Sequence, residues 1–236
     1  MNLALDFGNT FTKAGLFKGD ELIEVIKVME LSEIDKVIAD FHPEHVIVSS
    51  VSKSIEDIQQ KLNGIPTTIL RPDLPLPFKI GYKTPQTLGL DRIAAVAGAQ
   101  GAFPESNCLV IDAGTCFTYD FIDRQATYHG GCISPGISLR FKALHNFTAN
   151  LPLIEFEKDV PLVGQSTKES IQSGVINGAI AEIREIIRMY SDKFGHLQII
   201  ICGGDAEFFE NKLKASIFVA PELVLRGLNR ILLYNA

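Results

Sequence analysis

The chain has no run of basic residues, no C-x-x-C pair, no low-complexity tract and no apolar stretch long enough to span a bilayer. Each absence closes off a class of function. With 22 Lys+Arg against 28 Asp+Glu the net charge is −6, and without a Lys/Arg cluster no nucleic-acid-binding face is expected. An acidic protein still binds phosphates locally, through backbone N–H groups and a few placed cations. Cys108, Cys116, Cys132 and Cys202 have neither the spacing nor the histidine neighbours of a zinc site, and read as reduced thiols. The longest apolar runs, such as "LQIIIC" at 197–202, are strand-sized. Asp6 arrives before any N-terminal apolar run gains length, so the expectation is no signal peptide, no membrane association and a cytoplasmic location. What remains is 236 residues, 46% of them hydrophobic, enough for one large domain or two small ones.

The most informative feature is a repeat. "LALDFGNTFTK" at 3–13 returns as "LVIDAGTCFTYD" at 109–120, and without a gap Asp6 falls on Asp112, Gly8 on Gly114, Phe11 on Phe117 and Thr12 on Thr118. Strand-like runs lie at 3–5, 16–17, 22–28, 46–49, 68–70, 109–111, 117–122 and 199–202. Helix-period segments lie at 31–41, 55–62, 88–100, 137–146, 167–194 and 221–233, and "AEFFENKL" at 206–213 also reads as helical. The alternation predicts an α/β architecture with largely parallel sheets. Each half opens on an antiparallel meander, turning at Lys18-Gly19-Asp20 in the first and Asp123-Arg124 in the second. The polar connector "GAFPESN" at 101–107 sets the expected division into 1–105 and 106–236, with a ligand cleft between similar halves. The final amphipathic segment is expected to cross back onto the first half.

A strand that stops in aspartate and turns through glycine and hydroxyl residues suits phosphate chemistry. Its backbone N–H groups can converge on an anion, with Thr10 and Thr115 adding donors and Lys13 a positive charge. Asp6 and Asp112 would repel bare phosphate, so their presence predicts a hydrated Mg²⁺ or another cation between carboxylate and phosphate. A single such turn could equally be an aspartate capping its own backbone; two matched copies favour the phosphate reading. "IICGGD" at 200–205 puts Gly203 and Gly204 at a strand-to-helix turn, where an adenosine could approach the backbone, although paired glycines are often a plain turn.

These three loops, in this order, resemble the actin-like ATPase superfamily, which includes sugar and acetate kinases and chaperone ATPases. "YKTPQTLGLDR" (82–92), "GGCISPGISLR" (130–140), "GQSTKESIQSGVINGAI" (164–180) and "APELVLRGL" (220–228) narrow the resemblance to type III pantothenate kinase, nearly from end to end. The resemblance implies two duplicated actin-like, ribonuclease H-like domains with mixed sheets and an interdomain ATP cleft. It also implies ATP, Mg²⁺, a monovalent cation (K⁺ or NH4⁺) near Asp112, pantothenate as substrate and a homodimer. Asp6, Gly8, Asn9, Thr10, Lys13, Gly114, Thr115, Gly203 and Gly204 are then the nucleotide contacts.

Phosphoryl transfer to an alcohol needs a group to accept the hydroxyl proton and little other covalent help. The resemblance gives that role to Asp91 and lines the pantothenate site with Tyr82, Gly89, Leu90, Asp91 and Arg92. Arg92 could grip a carboxylate with both arms and keep Asp91 ionised; an exposed Asp-Arg pair on a helix is the plain alternative. Thr167 reads both as an N-cap, with Ser170 three residues on, and as the threonine that reaches pantothenate across a dimer interface. "GGCISPGI" reads as a loop. Cys116 stands where the family often has alanine, and Cys202 precedes the paired glycines, so modifying either thiol is expected to block the cleft. Two rival functions remain: another small-molecule kinase of the superfamily, and a non-catalytic ATP-binding regulator.

Overall fold

The computed structural model describes residues 1–8, 12–50, 54–213 and 216–236. Its first sheet contains β1 (Asn2–Phe7), β2 (Thr12–Lys18), β3 (Glu21–Val28), β4 (His45–Ser50) and β5 (Thr67–Ile69), in the order β3-β2-β1-β4-β5. The first three strands form an antiparallel meander, and β4 and β5 continue the sheet in parallel from β1. Gly19, at φ +60°, makes the tight β2–β3 turn that a side chain would strain. α1 (Glu33–Phe41) and α2 (Ile55–Lys61) bury Ile34, Val37 and Ile58 against Leu3, Leu5, Leu16, Val46 and Val48. Ser54 caps α2, its hydroxyl accepting from the Asp57 N–H.

The second sheet repeats the plan. β7 (Cys108–Ala113), β8 (Cys116–Ile122), β9 (Thr127–Pro135), β10 (Gln198–Cys202) and β11 (Phe218–Val219) stand in the order β11-β10-β7-β8-β9, with β6 (Lys79–Ile80) added beside β9. That is the first sheet's order with one strand appended. The repeat extends to burial: in both β1 and β7 four residues are buried, the aspartate is partly exposed, and the last residue is buried again. A strand end at the sheet's rim lets the carboxylate keep water while the chain beside it stays in the core.

The helices are α3 (Leu90–Ala102), α4 (Ile137–Asn146), α5 (Thr167–Phe194), α6 (Ala206–Leu213) and α7 (Leu223–Tyr234). By their internal contacts the residues form two compact units. Unit 1 is Met1–Cys108, Asp120–Gly130 and Glu222–Ala236; unit 2 is Leu109–Tyr119 and Gly131–Pro221. Within unit 1, α7 packs against α3 and β1, as the amphipathic pattern of the final segment led us to expect. The approach is close enough that a Cβ on Gly227 would sit 1.7 Å from the Ala94 carbonyl oxygen, so only glycine fits.

Two readings change. "GGCISP" is the second half of β9, because strand pairing overrides the turn preference of glycine and proline. β6 and β11, of two residues each, are too short to leave a pattern in the sequence. Among the described residues no helix is long and apolar enough to cross a membrane.

Candidate active site

Asp6 is the penultimate residue of β1 and lies in register with Lys13 on β2 and Ser49 on β4. Burial, and then the nearby Asp91 charge, push its carboxyl up to about 6, against the opposing pull of Lys13. The Ser49 hydroxyl, almost fully buried beside it, also favours the charged form. It falls short of hydrogen-bond geometry and has no partner among the described residues. Gly8, just past the end of β1, is partly buried. Asn9 and Thr10, expected at the phosphates, lie outside the described residues.

Asp91 is the second residue of α3, and Gly89 precedes the helix as its N-cap. One Asp91 oxygen accepts the Arg92 N–H at 2.8 Å, which satisfies a helix-start donor. The same oxygen explains the glycine before it, since a Cβ on Gly89 would come within 2.5 Å of Asp91 Oδ1. Leu90 opens the helix between them and is half-buried. The effect of the Asp91 charge on Asp6 sets the C-terminal end of β1 near the start of α3.

Arg92 has a carboxylate partner within the protein and forms no exposed helix-surface pair. Its guanidinium is buried and grips Asp120 on β8, through Nε at 2.9 and 3.2 Å and a terminal nitrogen at 2.6 Å. Asp120 Oδ1 also accepts the Tyr128 hydroxyl at 2.5 Å. Tyr82 stacks on Tyr128 with centroids 6.4 Å apart and planes within 9°, and Arg92 lies 5.9 Å from the Tyr82 centroid. Gly130, at φ +91°, leaves room for the Tyr82 ring: a Cβ there would meet it at 2.6 Å. Asp120, Tyr128, Gly130 and Ser49 were not singled out from sequence. Asp120 did leave one signal, a charge in the middle of the apolar strand "FTYDFI".

In unit 2 the second aspartate is hemmed in by glycines. A Cβ on Gly203, itself at φ +91°, would lie 2.3 Å from Asp112 Oδ1, and one on Gly114 would lie 3.0 Å away. The two loops are joined by the Asp205 N–H donating to the Ala113 carbonyl at 2.9 Å, while Gly136 N–H donates to the Thr115 carbonyl at 3.1 Å. Thr115 and Gly204 are exposed. Cys116 is exposed and Cys202 buried, so a thiol reagent reaches the first and not the second.

Ser166, not Thr167, caps α5: its hydroxyl accepts the Glu169 N–H at 3.2 Å, and Glu169 accepts the Gln165 N–H at 2.7 Å. Thr167 is exposed on an open cavity of about 780 Å³ lined with Gly164, Gln165, Ser170 and Leu151. Freed from capping, its side chain is available to a ligand.

Two sheets of one strand order, each built on an aspartate-bearing strand paired antiparallel with the next, define a duplicated actin-like α/β fold. Two solved structures share it. One, described as a Baf family transcriptional activator from Campylobacter jejuni, has a TM-score of 0.65 at 23% identity and covers 99% of this chain and 98% of its own. The other, an inorganic polyphosphate/ATP-glucomannokinase from Arthrobacter sp. strain KM, has a TM-score of 0.50 at 15% identity, with 98% of each chain covered. The type III pantothenate kinase profile matches residues 2–189. The type III pantothenate kinase of Cytophaga hutchinsonii is 44% identical over 235 residues, covering 100% of both chains. The chain belongs to the type III pantothenate kinase family.

Proposed function

We infer that this protein transfers the γ-phosphoryl group of ATP to the primary hydroxyl of pantothenate, giving 4′-phosphopantothenate and ADP at the start of coenzyme A biosynthesis. Beyond family membership, the observation that carries the reading is the coupling of Asp91 to Asp6. It supports a carboxylate at the start of a helix acting near the strand that carries the first Asp-x-Gly motif.

Asp91 accepts the proton of the pantothenate hydroxyl as that hydroxyl's oxygen bonds to the γ-phosphorus and the bond to ADP breaks. The Arg92 N–H orients that carboxylate, and Gly89 leaves room for it. Tyr82, Gly89, Leu90, Asp91 and Arg92 line the pantothenate site, with Thr167 reaching pantothenate in a homodimer. The exposed position of Thr167 on an open cavity supports this. Gly8, Asn9, Thr10, Lys13, Gly114 and Thr115 hold phosphates, and Gly203 and Gly204 admit the adenosine. The domain carrying the first loop and "LGLDR" supplies the acceptor chemistry, and the other supplies the second loop and the adenosine turn.

Asp6 fits a Mg²⁺ ligand. Its raised pKa, and a neighbouring Ser49 hydroxyl without a hydrogen-bond partner among the described residues, are both features that a positive charge would relieve. Mg²⁺ held by one carboxylate would keep water and phosphate oxygens as its other ligands. Bound there, Mg²⁺ would neutralise charge on the transferred phosphoryl. Asp112 fits a K⁺ or NH4⁺ site, since backbone carbonyls crowd the same turn. That all four cysteines stand outside any disulfide supports a cytoplasmic location.

The test is an assay of ADP release with pantothenate, N-acetylmannosamine, glucose and acetate in parallel, in K⁺ and then in Na⁺. Turnover with pantothenate alone, requiring Mg²⁺ and faster in K⁺, is expected. Turnover with a sugar and none with pantothenate would overturn the reading.

A further inference from the structure

We propose that Asp120 is a positioning residue of the pantothenate site, fixing through Arg92 and Tyr128 the start of α3, the Tyr82 segment and the β9 wall in one arrangement. The proposal rests on the assignment of pantothenate to Tyr82, Gly89, Leu90, Asp91 and Arg92.

Asp120 is fully buried on β8 between Tyr119 and Phe121, and Arg92 is 6% exposed. Burying two charges costs several kcal/mol each before their attraction offsets it, so an apolar pair of similar volume would hold the fold as well. What the ion pair adds is direction. A planar guanidinium held through two nitrogens cannot swivel, so the Arg92 side chain is fixed at both ends. One end is the α3 backbone, whose N–H orients Asp91 at 2.8 Å. The other lies 5.9 Å from the Tyr82 centroid.

The Tyr128 hydroxyl gives Asp120 a second arm. It bonds Oδ1 at 2.5 Å, which sets the ring plane on which Tyr82 stacks. Gly130, two residues along the same strand, leaves room for the Tyr82 ring, since a Cβ there would lie 2.6 Å from it. One buried carboxylate thereby sets both the aromatic wall and the helix start. A shift of about 1 Å in such groups can cost about a hundredfold in rate.

Asp120→Asn keeps the shape and removes the charge. The expected result is a KM for pantothenate raised about tenfold or more, with the KM for ATP within about twofold of the parent enzyme. Tyr128→Phe removes one hydrogen bond and no charge, and is expected to raise the pantothenate KM about three- to fivefold, again sparing ATP. If Asp120→Asn fails to fold, Tyr128→Phe decides. A pantothenate KM within about twofold of the parent in the folded variants, or both KM values moving together, would overturn the role of Asp120. A parent enzyme inert to pantothenate would instead overturn the functional reading itself.

Discussion

Asp6 at the end of β1 and Asp91 at the start of α3 stand close enough for the charge of one to oppose the charge of the other. Burial and this repulsion together raise Asp6 from 3.8 to about 6. The folded protein without nucleotide or metal therefore binds a proton at Asp6 more tightly than the unfolded chain does. The resulting stability is fully present below about pH 4 and is lost as pH rises through about 6, a difference of roughly 2–3 kcal/mol. Asp6→Asn should accordingly raise the Tm of the ligand-free protein at pH 8 more than at pH 4, while abolishing most turnover. Thermal melts at the two pH values check it, and an equal change at both would refute it.

Asp91→Asn should lower kcat by about 10²–10⁴-fold and leave the KM for ATP nearly unchanged, because the base acts only as the hydroxyl proton leaves. The same variant removes a charge that raises Asp6, so the pH dependence of its melting should shrink. Steady-state kinetics and melts on one preparation test both; near-normal kcat would remove Asp91 from the role of base.

Gly89→Ala places a methyl group 2.5 Å from Asp91 Oδ1 at a backbone φ of −59°, which any residue can adopt. The backbone tolerates the change and the carboxylate does not. Turnover should fall about tenfold or more with Tm within about 2 °C of the parent. A parallel loss of stability would mean that Gly89 serves the fold.

Ser166→Ala should destabilise by about 1 kcal/mol through loss of the α5 cap. Thr167→Ala should leave stability unchanged and raise the KM for pantothenate. The two neighbours thus separate capping from binding, read by melting and kinetics side by side. Exchange of their effects would restore the cap to Thr167.

Gly227→Ala would drive a methyl group into the Ala94 carbonyl, where α7 crosses α3. Overpacking of this kind costs about 1–3 kcal/mol, and the Tm should drop by about 3–10 °C. Chemical denaturation monitored by circular dichroism would measure it, and an unchanged midpoint would show that α7 can shift without loss.

The elements legible in sequence were those with enough residues to carry a period. α5 spans Thr167–Phe194 and α6 Ala206–Leu213, the bounds their patterns predict. The second half of β9 was not legible, since Gly130, Gly131 and Pro135 carry turn preferences that only strand pairing overrides. The α5 cap was misplaced by one residue, because Ser166 and Thr167 offer the same chemistry and backbone conformation chooses between them.

By itself the sequence determined the repeat, and with it two aspartates ending matched strands, because β1 and β7 carry one pattern of buried apolar residues around a rim carboxylate. It also placed "LGLDR" between the copies. Only the tertiary structure decided the partners of those charges. Asp6 meets Asp91 across 85 positions of sequence, and Arg92 gives its fork to Asp120 across 28. A side chain's local sequence sets its reach and charge, whereas which other charge, like or opposite, comes near it depends on how distant strands and helices pack.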